Sequence, residues 1–86
     1  MTVSSEEWHR SYAKYCTLTK APMNGNTARR FYKFLGITVK DNQKSFSQEW
    51  TTVQTSDTAI QRIKWLNGPN AEILYKMWKA QNNDAA

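Results

Sequence analysis

The most constraining feature of this chain is its supply of large aromatic side chains. Four tryptophans, four tyrosines and three phenylalanines are spread over only 86 residues, from Trp8 to Trp78. A domain of this size buries about 60% of the surface that its unfolded chain exposes, so most of these rings must share a single core. The aromatic content also argues against a disordered chain. We therefore expect one small basic domain over residues 1–80, followed by a frayed tail at 81–86.

Two helices are predicted in the first half of the chain. Ser4 and Glu7 have the spacing of a capping box, which predicts a helix over about 5–18. A turn of about seven or eight residues follows, rich in proline, glycine and asparagine. Asn26 is suited to cap a second helix over about 27–35, which the following glycine should end in a left-handed conformation.

The segment from 37 to 55 allows two interpretations. Its β-branched residues and the polar run 40–44 are typical of a small hairpin, or wing. Alternatively, Ser45 and Gln48 have the spacing of a second capping box. The apolar residues that recur there at helical spacing are Phe46, Trp50 and Val53. We favour the helix and keep the hairpin as the alternative.

Two further helices are predicted in the last third of the chain. Ser56 should cap the first, and Asn67-Gly68-Pro69 should end it before Asn70 caps the second. The predicted inward residues are Ala59, Ile60, Ile63 and Leu66 in the first helix and Ile73, Leu74, Met77 and Trp78 in the second. The expected fold is mainly α, a compact bundle of four to five short helices whose N-terminal half is helix-turn-helix-like.

Residues that carry most enzyme chemistry are scarce in this sequence and poorly placed. His9 and Cys16 would lie about 10 Å apart along one helix, which is too far for a nucleophile and its base. Glu6 and Glu7 are explained by the favourable effect of acidic residues on a helix N-terminus. The sequence contains no glycine-rich phosphate loop and no metal-binding motif. We therefore expect a non-enzymatic protein without a metal or other cofactor.

Positive charge is concentrated in one part of the chain. The net charge is +5, yet residues 10–44 hold eight Lys or Arg and one Asp, while residues 45–86 are balanced. In a helix-turn-helix-like unit, such cations neutralise phosphates, and amide or guanidinium groups can bond to base edges. We therefore predict a regulatory or accessory nucleic-acid-binding protein, such as a transcription regulator, that binds DNA rather than RNA. The predicted contact residues are Arg10, Lys14, Lys20, Asn26, Thr27, Arg29, Arg30, Lys33, Lys40 and Lys44.

A protein partner is the second interpretation of the same region. Phe31, Tyr32 and Phe34 cannot all point in one direction, since each helical residue turns about 100°, so at least one ring should be exposed beside the cations. Surfaces that mix aromatic rings with arginine are typical of protein interfaces, and such rings also suit stacking on unpaired bases. The alternative is an inhibitor or adaptor of phage or mobile-element type. It would dock on an acidic partner through Tyr32, Phe34 and Trp65.

One run of aromatic and apolar residues has a spacing found in a known family. Its members are Trp8, Tyr12, Tyr15, Cys16, Phe31, Leu35 and Gly36. Residues 8–37 thereby resemble the winged-helix segment that closes poxvirus-type viral and phage primase-helicases. The resemblance implies a winged helix, with residues 26–33 in or near the recognition helix and 40–44 at the wing. This chain departs from the family pattern because two further helices are predicted after that segment.

The remaining composition bears on location. No stretch approaches the roughly 20 apolar residues that span a bilayer, and the first residues lack the basic and then apolar run of a secretory signal. The single Cys16 fits a reducing compartment. The sequence thus predicts a cytoplasmic protein, in the host cell if phage-encoded, with no membrane partner. Clustered surface cations can also serve only to keep a small protein soluble, and that interpretation stays open.

Overall fold

The N-terminal helix begins where the capping box predicts it. In the computed structural model, which describes residues 2–37 and 47–82, α1 spans Ser5–Thr19. The Ser4 hydroxyl accepts a hydrogen bond from the Glu7 N–H at 3.0 Å, and the Glu7 carboxylate accepts one from the Ser4 N–H at 3.2 Å. Two backbone donors that the first turn would leave unpaired are thus satisfied, which fixes the start of α1.

The second helix, α2, spans Gly25–Phe34 and starts earlier than predicted. Its N-cap is Asn24 and not Asn26, because the Asn24 side chain accepts a hydrogen bond from the Thr27 N–H at 3.0 Å. Asn24 has the extended backbone of a cap residue, with φ −145° and ψ 179°, whereas Asn26 lies inside the first turn. Only residues 20–24 therefore connect α1 to α2, a shorter turn than predicted.

The segment with two interpretations contains a helix. The helix α3 spans Ser47–Thr55, so the strand interpretation is wrong for the β-branched run at 51–53. Val53 is fully buried, as the helical spacing predicts. Residues 38–46, which include most of the predicted hairpin, lie outside the described residues. Within 2–37 and 47–82 there is no strand.

The fourth helix, α4, spans Asp57–Leu66 and confirms its prediction in full. Ser56 caps it by accepting a hydrogen bond from the Ala59 N–H at 3.2 Å. The four residues predicted to face inward, Ala59, Ile60, Ile63 and Leu66, are all buried. Because α4 packs against α1, α3 and α5 (Ala71–Asn82), it forms the centre of the bundle.

The inward face predicted for α5 is wrong at Ile73 and Met77. Ile73 and Met77 are 62% and 54% exposed, whereas Ala71 and Tyr75 are buried. The other two predicted residues, Leu74 and Trp78, are half-buried. Ala71 and Tyr75 lie one turn apart, and the small alanine beside a large ring sets the rotation of α5 against the core.

The described residues are mainly helical, with short connections between the helices. The five helices, with no strand in the described ranges, confirm the mainly α prediction. The helix α5 continues to Asn82, so it includes the first two residues of the predicted tail, and residues 83–86 lie outside the described residues. Among these helices none has both the length and the apolar character needed to cross a bilayer.

The start of α1 is tied to the second half of the chain by polar contacts. The Val3 N–H donates a hydrogen bond to Gln54 Oε1 at 2.9 Å, and Gln54 Nε2 donates one to the Val3 carbonyl at 2.8 Å. Lys64 Nζ donates to the Glu7 carboxylate at 2.9 Å, and the Asn67 side chain donates to the Glu7 carbonyl at 3.0 Å. These contacts hold α1 against α3 and α4.

Aromatic rings hold α2 in place along its length. The ring of Phe31, which is fully buried, lies 5.2 Å from that of Tyr15 and 5.5 Å from that of Tyr12 between centroids. At the end of α2, the ring of Phe34 lies 4.7 Å from that of Trp78. Such pairs contribute about 0.5–1.5 kcal/mol each beyond the burial of their area. Ring contacts therefore fix which side of α2 faces outward.

Candidate nucleic-acid interface

The outward side of α2 carries one amide and three cations. Asn26, Arg29, Arg30 and Lys33 are all exposed, and their spacing of three and four residues places them on one face of the helix. We call these four residues the α2 cationic face. In the described residues no carboxylate forms an ion pair with any of the three cations. Within the described part of the chain, the face is therefore a surface of positive charge that no carboxylate pairs with.

The opposite side of α2 is buried over a wide arc. The buried residues of the helix are Thr27, Ala28, Phe31, Tyr32 and Phe34. At 100° per residue, the arc from Phe34 through Phe31 to Tyr32 covers about 160°, so three rings that point in different directions still lie within the buried half. Thr27 is 2% exposed, and the prediction that it contacts nucleic acid is wrong because its side chain faces the core.

The predicted aromatic surface is absent from α2. Tyr32 and Phe34 are each 2% exposed, so the expectation of an exposed ring beside the cations is wrong. Phe34 is enclosed by rings of the last two helices, including Trp65 at 5.5 Å in an edge-to-face contact. Trp65 itself is half-buried and packs against the core. These three residues therefore do not form a mixed aromatic and arginine patch.

Arg62 ties the C-terminal end of α2 to the bundle. Its guanidinium donates a hydrogen bond to the Phe34 carbonyl, and its Cζ lies 5.6 Å from the centroid of the Phe34 ring. The last carbonyls of a helix carry partial negative charge, which a guanidinium stabilises. Sequence reasoning missed Arg62, because the two residues are 28 positions apart and no local pattern links them. The contact helps to set the position of the α2 cationic face.

The other cations predicted to contact nucleic acid differ in whether a carboxylate pairs with them. Arg10 forms an ion pair with Glu6 one turn earlier on the exposed side of α1, so its charge is partly compensated. Lys14 is exposed on the same helix and makes no ion pair with a described carboxylate. Lys20 is exposed at the C-cap of α1, in the left-handed region at φ 56°. The remaining two predicted residues, Lys40 and Lys44, lie outside the described residues.

In the described ranges, Cys16 and His9 are not brought together into one site. Cys16 is buried, and this burial raises the pKa of its thiol, which therefore stays protonated and weakly nucleophilic at neutral pH. His9 is exposed on the outer side of α1. Burial also raises the pKa of Tyr15 to about 12, and the positive charge of Arg30 opposes that rise. Among the described residues, no group of three His, Cys, Asp or Glu could hold a metal ion.

The candidate interface thus consists of the α2 cationic face and the two exposed cations that flank it in sequence. These flanking cations, Lys14 and Lys20, lie on α1 and at its C-cap. The physical case for the interface comes from charge, exposure and the rigidity of the helix that carries it. No protein-family model, curated protein or solved structure matches this chain.

Proposed function

We propose that this chain is a small non-enzymatic nucleic-acid-binding protein, regulatory or accessory in role, that binds through the α2 cationic face. The observation that carries the proposal is the division of α2 into two halves. One half is buried by rings, and the other presents Arg29, Arg30 and Lys33 to solvent with no described carboxylate as partner. A rigid helix with unpaired cations on its free side suits contact with phosphates.

The connection between α1 and α2 supports a helix-turn-helix-like mode of binding. With residues 20–24 alone between the helices, the turn is close to the 3 to 4 residues of a tight helix-turn-helix turn. In that mode α2 is the recognition helix, and Asn26 and Arg29 in its first turns face base edges. Lys20 then neutralises a backbone phosphate beside the turn. The winged-helix resemblance of residues 8–37 is consistent with this assignment and remains part of the proposal.

DNA is the favoured nucleic acid because of the shape of the proposed contact element. An α-helix is about 10–12 Å across with its side chains, and the major groove of B-DNA is about 12 Å wide. The major groove of an RNA duplex is deep and narrow, so a helix cannot enter it. The alternative, an acidic protein partner, would have to be recognised by charge, since Tyr32 and Phe34 are buried.

The proposal is tested by binding of the intact protein to a labelled mixed-sequence DNA duplex, followed by fluorescence anisotropy. The variant is Arg29→Ala with Arg30→Ala, and the matched control is Lys76→Ala with Lys79→Ala, two exposed helical lysines on α5. Alanine favours helix at all four sites, so both variants should keep the fold, which circular dichroism verifies.

The expected result is loss of duplex affinity in the α2 variant by at least about tenfold at low salt, with the α5 variant close to wild type. The control removes the same number of charges, so it separates a specific surface from the effect of net charge. Equal weakening by both variants, or no duplex binding at low salt, would contradict the proposal. In the second case, binding to an acidic protein would become the better explanation of the surface.

A further inference from the structure

The chemistry exposed beside the α2 cationic face bears on the form of nucleic acid that it can bind. Proteins that hold single strands combine cations with exposed rings on which unpaired bases stack, since every base has an aromatic face. Proteins that bind a duplex need cations and a rigid element that fits its grooves. The two classes therefore differ in whether rings are available at the surface.

Rings on α2 are not available for stacking. Phe31 is fully buried, and Tyr32 and Phe34 are each 2% exposed. Phe34 alone has the rings of Tyr15, Trp65 and Trp78 within 5.5 Å of its centroid. Turning such a ring outward would open the core that fixes α2, so a bound base cannot recruit it.

The half-buried tryptophans do not supply a stacking surface beside the cations either. Trp8 contacts Phe31 and Tyr32 at 5.5 Å and 5.7 Å, and Trp65 and Trp78 contact Phe34. All of these contacts are with the buried side of α2, opposite the α2 cationic face. Over residues 2–37 and 51–81, where side-chain exposure is described, no Phe, Tyr or Trp ring is fully exposed.

What remains on the outer side of α2 is a rigid helix with cations and one amide. Its ten residues make a rod about 15 Å long, and Arg29 and Lys33 are one turn, or about 6 Å, apart along it. The longest dimension of the molecule is 31 Å, which corresponds to about nine base pairs of duplex at about 3.4 Å per step. These dimensions suit one side of a short duplex.

We propose, building on the proposed function, that the α2 cationic face binds double-stranded DNA and discriminates against single strands. The preference arises because α2 offers charge and a groove-sized helix while its own rings are buried, so an unpaired base has no α2 ring on which to stack. On α1, at its C-cap and on α2, five exposed cations make no ion pair with a described carboxylate and are candidates for phosphate contacts: Lys14, Lys20, Arg29, Arg30 and Lys33. If all five contact phosphates, with about 0.9 counterion released per phosphate, the logarithm of the affinity falls with the logarithm of the salt concentration with a slope of about −4.5.

The test compares a labelled duplex of about 12 base pairs with each of its two separated strands, titrated with the full chain over a series of salt concentrations. The expected result is duplex binding at least about tenfold tighter than binding to either strand. In the Arg29→Ala, Arg30→Ala variant the slope should become shallower by about 0.9 if Arg30 alone contacts a phosphate and Arg29 faces a base edge, and by about 1.8 if both contact phosphates.

The outcomes separate this inference from the proposed function. Single strands bound as tightly as the duplex or more tightly, in a manner sensitive to Arg29→Ala and Arg30→Ala, would overturn the duplex preference while leaving nucleic-acid binding in place. No binding of either form at low salt would instead overturn the proposed function itself.

Discussion

Replacing Phe34 with alanine should cost the protein about 3–5 kcal/mol of folding free energy, the usual loss for a buried phenylalanine. The ring is 2% exposed and lies within 5.9 Å of those of Tyr15, Trp65, Tyr75 and Trp78. A chain of this length has about 4–13 kcal/mol of total stability, at about 0.05–0.15 kcal/mol per residue. The substitution therefore removes a large part of the stability, and at about 4–8 °C per kcal/mol a loss of 3 kcal/mol lowers Tm by about 12–24 °C.

The assay is thermal unfolding followed by circular dichroism, with Phe34→Leu as a milder second variant. Leucine keeps most of the apolar volume and should cost less than about 1.5 kcal/mol if the core repacks around it, so this variant remains measurable even if the alanine variant does not fold. The control is Met77→Ala, at an apolar residue that is 54% exposed, where the change should stay within about 0.5 kcal/mol. A Tm for Phe34→Ala within about 4 °C of wild type would refute the reasoning, because it would place the ring at the surface.

Three further predictions concern caps and polar contacts. Asn24→Ala should lower stability by about 1 kcal/mol through loss of the α2 cap, whereas Asn26→Ala should leave the thermal midpoint nearly unchanged; the reverse order would contradict the assignment of the cap. Gln54→Ala should cost about 1–3 kcal/mol, because it leaves a backbone N–H and carbonyl near the chain start without partners, and urea unfolding measures the loss. The hydrogen bond and ion pair from Lys64 hold the pKa of Glu7 below its ordinary value of 4.5. The stability that Glu7 contributes is therefore present above pH 4.5 and is lost as the pH falls through the lowered pKa, so Lys64→Met should flatten the acid side of a Tm against pH profile. An unchanged profile in that variant would count against the pair.

The helices whose first and last residues are determined by nearby residues could be predicted from the sequence. The helices α1 and α4 each have a cap residue, a regular inward stripe and a clear stop, and all three signals agree. The cap of α2 was misplaced because two asparagines stand close together and both suit the role. Backbone geometry decides between them, since only Asn24 is extended.

Two kinds of feature could not be predicted from the sequence: the width of the buried face of a helix, and contacts between residues that are far apart in the chain. Periodicity ranks Ile73 and Met77 as core residues by hydropathy, but the rotation of α5 follows Ala71 and Tyr75, which fit against neighbouring helices. The burial of Tyr32 was missed for a similar reason, because neighbouring helices cover almost half of the circumference of α2. The exposed cations of α2 could be identified because they occupy the helix positions that lie outside its apolar stripe.

The hydrogen bonds and the ion pair at the start of α1 determine when the fold can be completed during synthesis. The partners of Val3 and Glu7 lie 51, 57 and 60 positions further along the chain, in α3, in α4 and just after it. A helix of about 15 residues is marginal in water by itself, so α1 gains its full stability only when those partners have left the ribosome. Closing loops of that length also carries an entropy cost that local helix pairs avoid. The helix α1 is thus synthesised before its long-range partners and is stabilised by them only later. A nascent chain that ends before Asn67 cannot complete the packing of α1.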